Sequence, residues 1–218
     1  MPGLGASRVG WAGVLLLSAF GAGAAELLFR QPRHFTRRID DPISGTARLI
    51  EEYCAGNQVV TISGDSVAIA DYAKQELIEI DRAAGTYSIT SFDAIARANA
   101  HHTSNDDVSV TVRVDPAIAL SRSAVEVLIG AAYPNQRRKE HEVTLGRSRG
   151  VVTQSADYAL PVEQTIEHDG VTITNKIVAI SADRVPQQAL LIPPGAKLVE
   201  SRITRLAREL RDLDRLPE

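Results

Sequence analysis

The chain has 218 residues, of which 44% are hydrophobic and 23% charged, and its formal net charge is -3. Those values are ordinary for a globular protein and exclude a disordered, collagen-like or multi-span membrane chain. The acidic balance also argues against nucleic acid, whose binding rests on neutralising phosphates with basic side chains.

Residues 1–25 read MPGLGASRVGWAGVLLLSAFGAGAA. Arg8 precedes an apolar stretch from Val9 to Phe20, too short for the roughly 20 residues that a membrane span needs. Small residues follow, and Ala22-Gly23-Ala24 fits a signal-peptidase site, with Gly23-Ala24-Ala25 as an alternative. We therefore expect a signal peptide over 1–25, a periplasmic or secreted protein, and no transmembrane segment in the mature chain. The leader holds the only Met, the only Trp (Trp11) and Phe20. What remains is aliphatic, with Phe29, Phe35, Phe92 and five Tyr as its aromatics. Cys54 is alone, so no intramolecular disulfide staples the domain, and an apolar-flanked thiol reads as a small core residue.

Residues 26–44 carry Pro32 and Pro42 among many charges and read as an extended lead-in to a domain over 45–218. From Thr46 the signal is a run of short strands separated by turns. They fall at Thr46–Cys54, Gln58–Ser63, Ser66–Tyr72, Glu76–Asp81 and Thr86–Thr90, the pattern of an antiparallel meander. Ser91 is a good N-cap for a helix over about 91–100 with Phe92, Ile95 and Ala96 on one face. After the polar loop HHTSNDD, Val108–Val114 alternates as a strand. The segment Ala117–Tyr133 mixes both signals; its length and alanine content favour helix. Further strands are expected at Glu142–Leu145, Val151–Thr153, Val162–Glu167 and Val171–Ile180, the last two joined at Asp169-Gly170. Leu190–Ile192 and Lys197–Val199 close the sheet around Pro193-Pro194-Gly195. Glu200–Leu213 is an amphipathic helix with Ile203, Leu206, Leu210 and Leu213 on its apolar stripe. Its arginines, with Arg205, Arg208 and Arg211 foremost, form either a solvated face or a surface for an envelope protein partner.

No catalytic constellation emerges. GRSRG at Gly146–Gly150 has the G-x-S-x-G form, but β-like residues follow where the nucleophile elbow needs a helix, and the triad order fails. His101-His102 with Asp106 and Asp107 reads as a polar loop. His34, His141 and His168 are each isolated from metal-ligand spacing. Asp40-Asp41 and Glu51-Glu52 are adjacent pairs, which diverge on an extended chain. The expectation is a non-enzymatic protein with no cofactor and no metal.

Two patches carry a family resemblance: ADYAKQELIEIDRAAGTYSITSF (Ala70–Phe92), and DYALPVEQTIEHDGVTITNKIVAI with LLIPPGAKLV (Asp157–Ile180, Leu190–Val199). Together they resemble periplasmic proteins related to the outer-membrane lipoprotein carriers (Lol-type). The chain departs from those carriers in its aromatic-poor N-terminal region and its arginine-faced C-terminal helix. The resemblance implies an α+β fold: a curved, half-open antiparallel sheet with helices on its concave side. It also implies an apolar hollow for a lipid or acylated ligand, to which Ile69, Leu77, Ile78, Ile80, Ile89, Phe92 and Ile95 would contribute. The expected function is binding or carriage of a lipid-like ligand, with an interaction or sensor module of an envelope complex as the alternative.

Overall fold

A computed structural model describes residues 27–42, 45–95, 109–130, 157–168, 171–201 and 203–205. The expected leader, the expected strands at 142–145 and 151–153, and the bulk of the expected C-terminal helix lie outside them.

The chain enters on β1 (Phe29–Asp41), continues through β2 (Thr46–Gly56), β3 (Gln58–Ser63), β4 (Ser66–Asp71), β5 (Glu76–Asp81) and β6 (Thr86–Ser91). A helical turn at 92–95 follows. Then come β7 (Ser109–Ser121), helix α1 (Arg122–Gly130), β8 (Asp157–His168) and β9 (Val171–Ser181). A 3-10 turn at Gln187–Leu190 leads to the two-residue β10 (Lys197–Leu198). The strands form one sheet in the order β10-β6-β5-β4-β3-β2-β1-β9-β8-β7. Among the described residues every pairing is antiparallel except β10 on β6, so the sheet is mixed.

This architecture corrects the expected class. The protein is mostly one large mixed sheet with few, short helices, and not an α+β fold of helices packed on a curved, half-open antiparallel sheet. Three segments account for the difference. The charged stretch expected as a lead-in is extended, but it forms β1, paired on both sides by β2 and β9. Pro32 is tolerated there because it falls at the register irregularity between Phe29 and Arg33, where a missing N–H costs no regular ladder bond. The segment expected as a helix from Ala117 stays in β7 to Ser121, past a bulge between Asp115 and Ala119. Only then does α1 begin, with the Ser121 hydroxyl accepting a hydrogen bond from the Ala124 N–H at 3.2 Å. Of the helix expected over about 91–100, the described residues hold the helical residues 92–95, with the Ser91 hydroxyl accepting from the Ala94 N–H at 3.2 Å; residues 96–100 lie outside them.

The meander β2–β6 forms as the turn signals require. Gly56 and Gly64 have φ of 57° and 56° at the first position of two-residue hairpin loops, which favours glycine. The loops after β4 and β5 are four residues each and are built alike. Asp71 Oδ1 accepts from the N–H groups of Ala73 and Lys74, at 3.1 and 3.0 Å. Asp81 Oδ1 accepts from the Ala84 N–H at 2.8 Å. Each loop then needs a left-handed residue, Gln75 (φ 58°) in one and Gly85 (φ 64°) in the other.

Alternation along the strands gives the sheet two apolar faces. The first carries Phe35, Cys54, Val59, Ala70, Leu77, Leu160 and Ile177, and these join Phe92, Ile95 and the α1 residues Ala124, Val125, Val127 and Leu128 in one cluster. The second carries Val60, Val67, Ile69 and Ile80, with Ile62, Ile78, Tyr87 and Val185 packed against them. Val185 belongs to the connection from β9 to β10, so that connection crosses the second face. Arg82 Nη2 donates to the Gln188 carbonyl at 2.7 Å on the way. Ile203 then packs against the first cluster, which carries the chain around the β6 edge. No described helix is long and apolar enough to cross a membrane.

Candidate functional site

The first face has a polar patch inside its aliphatic layer. On β1, Phe35, Arg37 and Ile39 share that face because side chains alternate along a strand. The register places Arg37 between Ile50 of β2 and Ile177 of β9, and Ile39 between Arg48 and Asn175. Asn175 in turn pairs with Gln164 of β8. Arg48, Arg37, Asn175 and Gln164 therefore occupy neighbouring positions across four strands, and Glu52 stands diagonally from Arg37, opposite Phe35.

Arg37 is 4% exposed and Glu52 5%. Arg37 Nε donates to Glu52 Oε2 at 2.6 Å, and its guanidinium carbon lies 5.7 Å from the Phe35 ring centre. Only Nε is engaged. Arg37 Nη1 and Nη2, Arg48 Nε, Gln164 Oε1 and Asn175 Oδ1 are all buried without a hydrogen-bond partner. They are five of the seven such side-chain atoms among the described residues; the other two are Tyr72 Oη and Thr90 Oγ1. An unpartnered buried donor or acceptor costs about 1–3 kcal/mol, so a native interior rarely gathers several in one place. Gln164 is held from behind, its Nε2 donating to the Leu128 carbonyl of α1 at 3.4 Å. Around the patch lie Phe35, Leu160, Ile177 and Leu128, all buried.

A second cluster lies on the opposite face. His34 Nε2 is 2.5 Å from Glu51 Oε2, and Nδ1 is 3.0 Å from Ser181 Oγ. Thr36 Oγ1 also donates to Glu51 Oε2, at 2.9 Å. The His34 ring stacks on Tyr53 with centroids 4.1 Å apart and planes 1° from parallel. A hydroxyl, an imidazole and a carboxylate in line have the outline of a nucleophile relay. The hydroxyl proton, however, goes elsewhere: Ser181 Oγ donates to Asp183 Oδ2 at 2.6 Å and accepts from the Asp183 N–H at 3.3 Å. When both ring nitrogens carry protons, each has an acceptor, and the cluster acts as a clamp joining β1, β2 and the start of the crossing connection. The Ser181 bond comes first among the influences on the Asp183 carboxyl; desolvation opposes it, but the bond and charge of His34 add to it and the group is held below its usual range. Burial first, then the charges of Glu51 and Asp183, push the Tyr53 phenol up. Among the described residues, no group of three or more His, Cys, Asp or Glu is placed to hold a metal ion.

The sheet divides the residues expected to line a hollow. Leu77, Phe92 and Ile95 are buried together on the first face. Ile69 and Ile80 are buried on the second, with Ile78 packed against them. Ile89, opposite Ile78, is 49% exposed. The two groups are not brought together: adjacent or odd-spaced residues on one strand, such as Leu77 with Ile78 and Ile80, face opposite ways. Arg205 is exposed; Arg208 and Arg211 lie outside the described residues, as do Ser148 and the pair His101-His102.

Sequence reasoning missed the polar patch. Its members are single polar residues in strands of mixed pattern, and β1 carries charge on both faces, which hides its alternation. One signal was legible: Glu51 and Glu52 do diverge, one to His34 and the other to Arg37.

No family model matches the chain, and no curated protein does. Among solved structures, the chain is similar to an uncharacterised conserved protein from Thermus thermophilus. That likeness has 10% identity and a TM-score of 0.41, covering 78% of this chain and 91% of that one. It is also similar to PNGF-II in its C2 crystal form, at 6% identity and a TM-score of 0.39. That match covers 83% of this chain but only 33% of the other. Likeness at this level carries no argument about this chain's fold or activity.

Proposed function

We propose that this protein binds or carries a lipid-like apolar ligand without catalysing a reaction, as an exported protein of the cell envelope. The observation that carries this reading is the cluster of buried, unpartnered polar atoms at Arg37, Arg48, Gln164 and Asn175 inside an aliphatic layer. Hydrogen-bonding capacity left over in an apolar interior is what an amphiphile uses: a polar end satisfies the patch while its apolar part lies on aliphatic side chains. Affinity would come chiefly from apolar area, at about 25 cal/mol per Å² removed from water. The aliphatic composition favours acyl chains over sugars or bases, which take aromatic stacking platforms. The Lol-type resemblance points the same way, as does the leader-like sequence of residues 1–25 for the location.

Purification of the full chain from an expressing host, followed by native mass spectrometry and organic extraction, tests the reading. A co-purifying apolar molecule, or uptake of a fluorescent fatty acid in its absence, is the expected result. Failure of both, across fatty acids and phospholipids, overturns it.

A further inference from the structure

The patch also specifies which kind of polar end it would take. We propose that the Nη1/Nη2 end of Arg37, with Arg48 beside it, binds the oxyanion of an amphiphile, a carboxylate or a phosphate. This rests on the apolar-ligand reading and narrows it.

Donors dominate the unpartnered atoms of the patch. Three of the five are guanidinium nitrogens, of Arg37 and Arg48, which can only donate and stay charged at any physiological pH. Glu52 meets Arg37 at Nε alone, leaving the two Nη groups of the fork for another partner. The planar Nη pair matches the spacing of two oxygens on one carboxylate or phosphate, the bidentate arrangement that arginine forms and lysine cannot. Charge points the same way. Among the described side chains of the patch, the two guanidinium charges of Arg37 and Arg48 meet one carboxylate, that of Glu52, which engages Arg37 alone. Arg37 is 4% exposed, so it is not a surface cation that bulk water serves. The amide of Asn175, turned end over end, offers either its oxygen or its NH2. In the second orientation it can bond Gln164 Oε1, its cross-strand neighbour, or add a donor to the oxyanion.

The neutral surroundings assign the rest of the ligand. Phe35, Leu160, Ile177 and Leu128 surround the patch on the same face, so an oxyanion bound there is enclosed by apolar side chains. A small inorganic anion would leave that apolar surface unused, whereas a carboxylate or phosphate on an acyl chain uses both.

Competition binding on the full chain, with a fluorescent fatty acid as reporter, tests the proposal with palmitate, methyl palmitate, palmitoyl lysophosphatidic acid, acetate and inorganic phosphate. We expect palmitate or the lysophosphatidic acid to bind at least about tenfold more tightly than methyl palmitate, with acetate and phosphate ineffective at millimolar concentration. The stronger of the two acidic lipids identifies the oxyanion as carboxylate or phosphate. Removing Arg37 alone strands Glu52 as a buried charge and endangers folding. The variant Arg37→Met/Glu52→Met removes both charges together, and should lose most of the preference for acid over ester, with Arg48 alone left to favour the acid. Equal binding of acid and ester by the unaltered protein overturns the oxyanion proposal and leaves the apolar-ligand reading standing. So does a preference for the acid that survives undiminished in the double variant. Binding of acetate or phosphate as tightly as palmitate overturns the amphiphile in favour of a free anion. If no lipid of either kind binds, the apolar-ligand reading itself falls.

Discussion

Glu52→Gln tests the energetics of the buried patch most directly. The substitution keeps the size of the side chain and one acceptor oxygen but removes the charge that faces Arg37. Both side chains of the pair are almost fully buried, 5% and 7% exposed, with Nε and Oε2 2.6 Å apart. At an effective dielectric constant of about 20, unit charges about 4 Å apart attract by about 4 kcal/mol. Mutational experience with broken buried pairs agrees, at about 3–5 kcal/mol, because the surviving charge is left uncompensated. Glu52→Gln should therefore cost about 3–5 kcal/mol. Arg37→Met/Glu52→Met should cost far less, or stabilise, since it removes both desolvation penalties. The pair Arg113–Glu163 is an internal control. Its Nη2–Oε2 distance is similar, 2.8 Å, but its side chains are 61% and 29% exposed. Glu163→Gln should cost under about 1 kcal/mol, because water screens the pair and the side chains give up entropy to form it. Urea unfolding followed by circular dichroism measures all three, provided the slope with denaturant is unchanged. A Glu52→Gln variant within about 1 kcal/mol of the unaltered protein, or a double variant as unstable as the single one, would refute the reasoning.

Four further outcomes are expected. Burial raises the Asp71 carboxyl, but the bonds from Gln58, Lys74 and Ala73 and the Lys74 charge outweigh it and hold the group below its usual range. Its contribution is thus complete above the unfolded-state value and lost as pH falls through the folded one. Asp71→Asn should lower stability near pH 7 and flatten the decline below about pH 4, seen in melts across pH. Gly85→Ala should cost about 1–2 kcal/mol from the left-handed backbone alone, because a Cβ there meets nothing within 4 Å; no loss in a denaturant titration contradicts this. Tyr72→Phe and Thr90→Val each delete a buried hydroxyl that has no partner. Both should be neutral or stabilising by up to about 1 kcal/mol, and a clear drop in melting temperature would show that the hydroxyls are satisfied. Burial first, then the Glu52 charge, pushes the Cys54 thiol well up, against a smaller opposing effect of Arg37. Native protein at pH 8 should therefore resist a thiol reagent and react on unfolding, with rapid native labelling as the contrary result.

Local chemistry carried the middle of this protein from the sequence. The strands β2–β6 are joined by loops of two and four residues, whose glycines and aspartates set the turn before any distant contact forms. The cap at Ser91 is equally local; the helix expected from Ala117 is instead capped by Ser121, four residues on. Cys54 as a buried thiol follows from its apolar neighbours. The strands on either side of Asp169-Gly170 were expected and pair as β8 and β9, but the place of β1 in the sheet was not legible in the same way. Phe29–Asp41 looks like a charged linker until β2 and β9 pair with it from both sides, and those pairings bring together residues far apart in the chain. His34 meets Ser181 across 147 positions. The polar patch has the same origin: Arg37, Arg48, Gln164 and Asn175 come from four strands, and only the register between them makes them neighbours. A one-residue slip of β1 would send Arg37 to the opposite face. Alternation states that a strand has two faces, but the tertiary pairing decides which polar residues share one. The apolar residues expected to act together, from Ile69 to Ile95, were divided by alternation itself, which sends Leu77 and Ile80 of β5 to opposite faces.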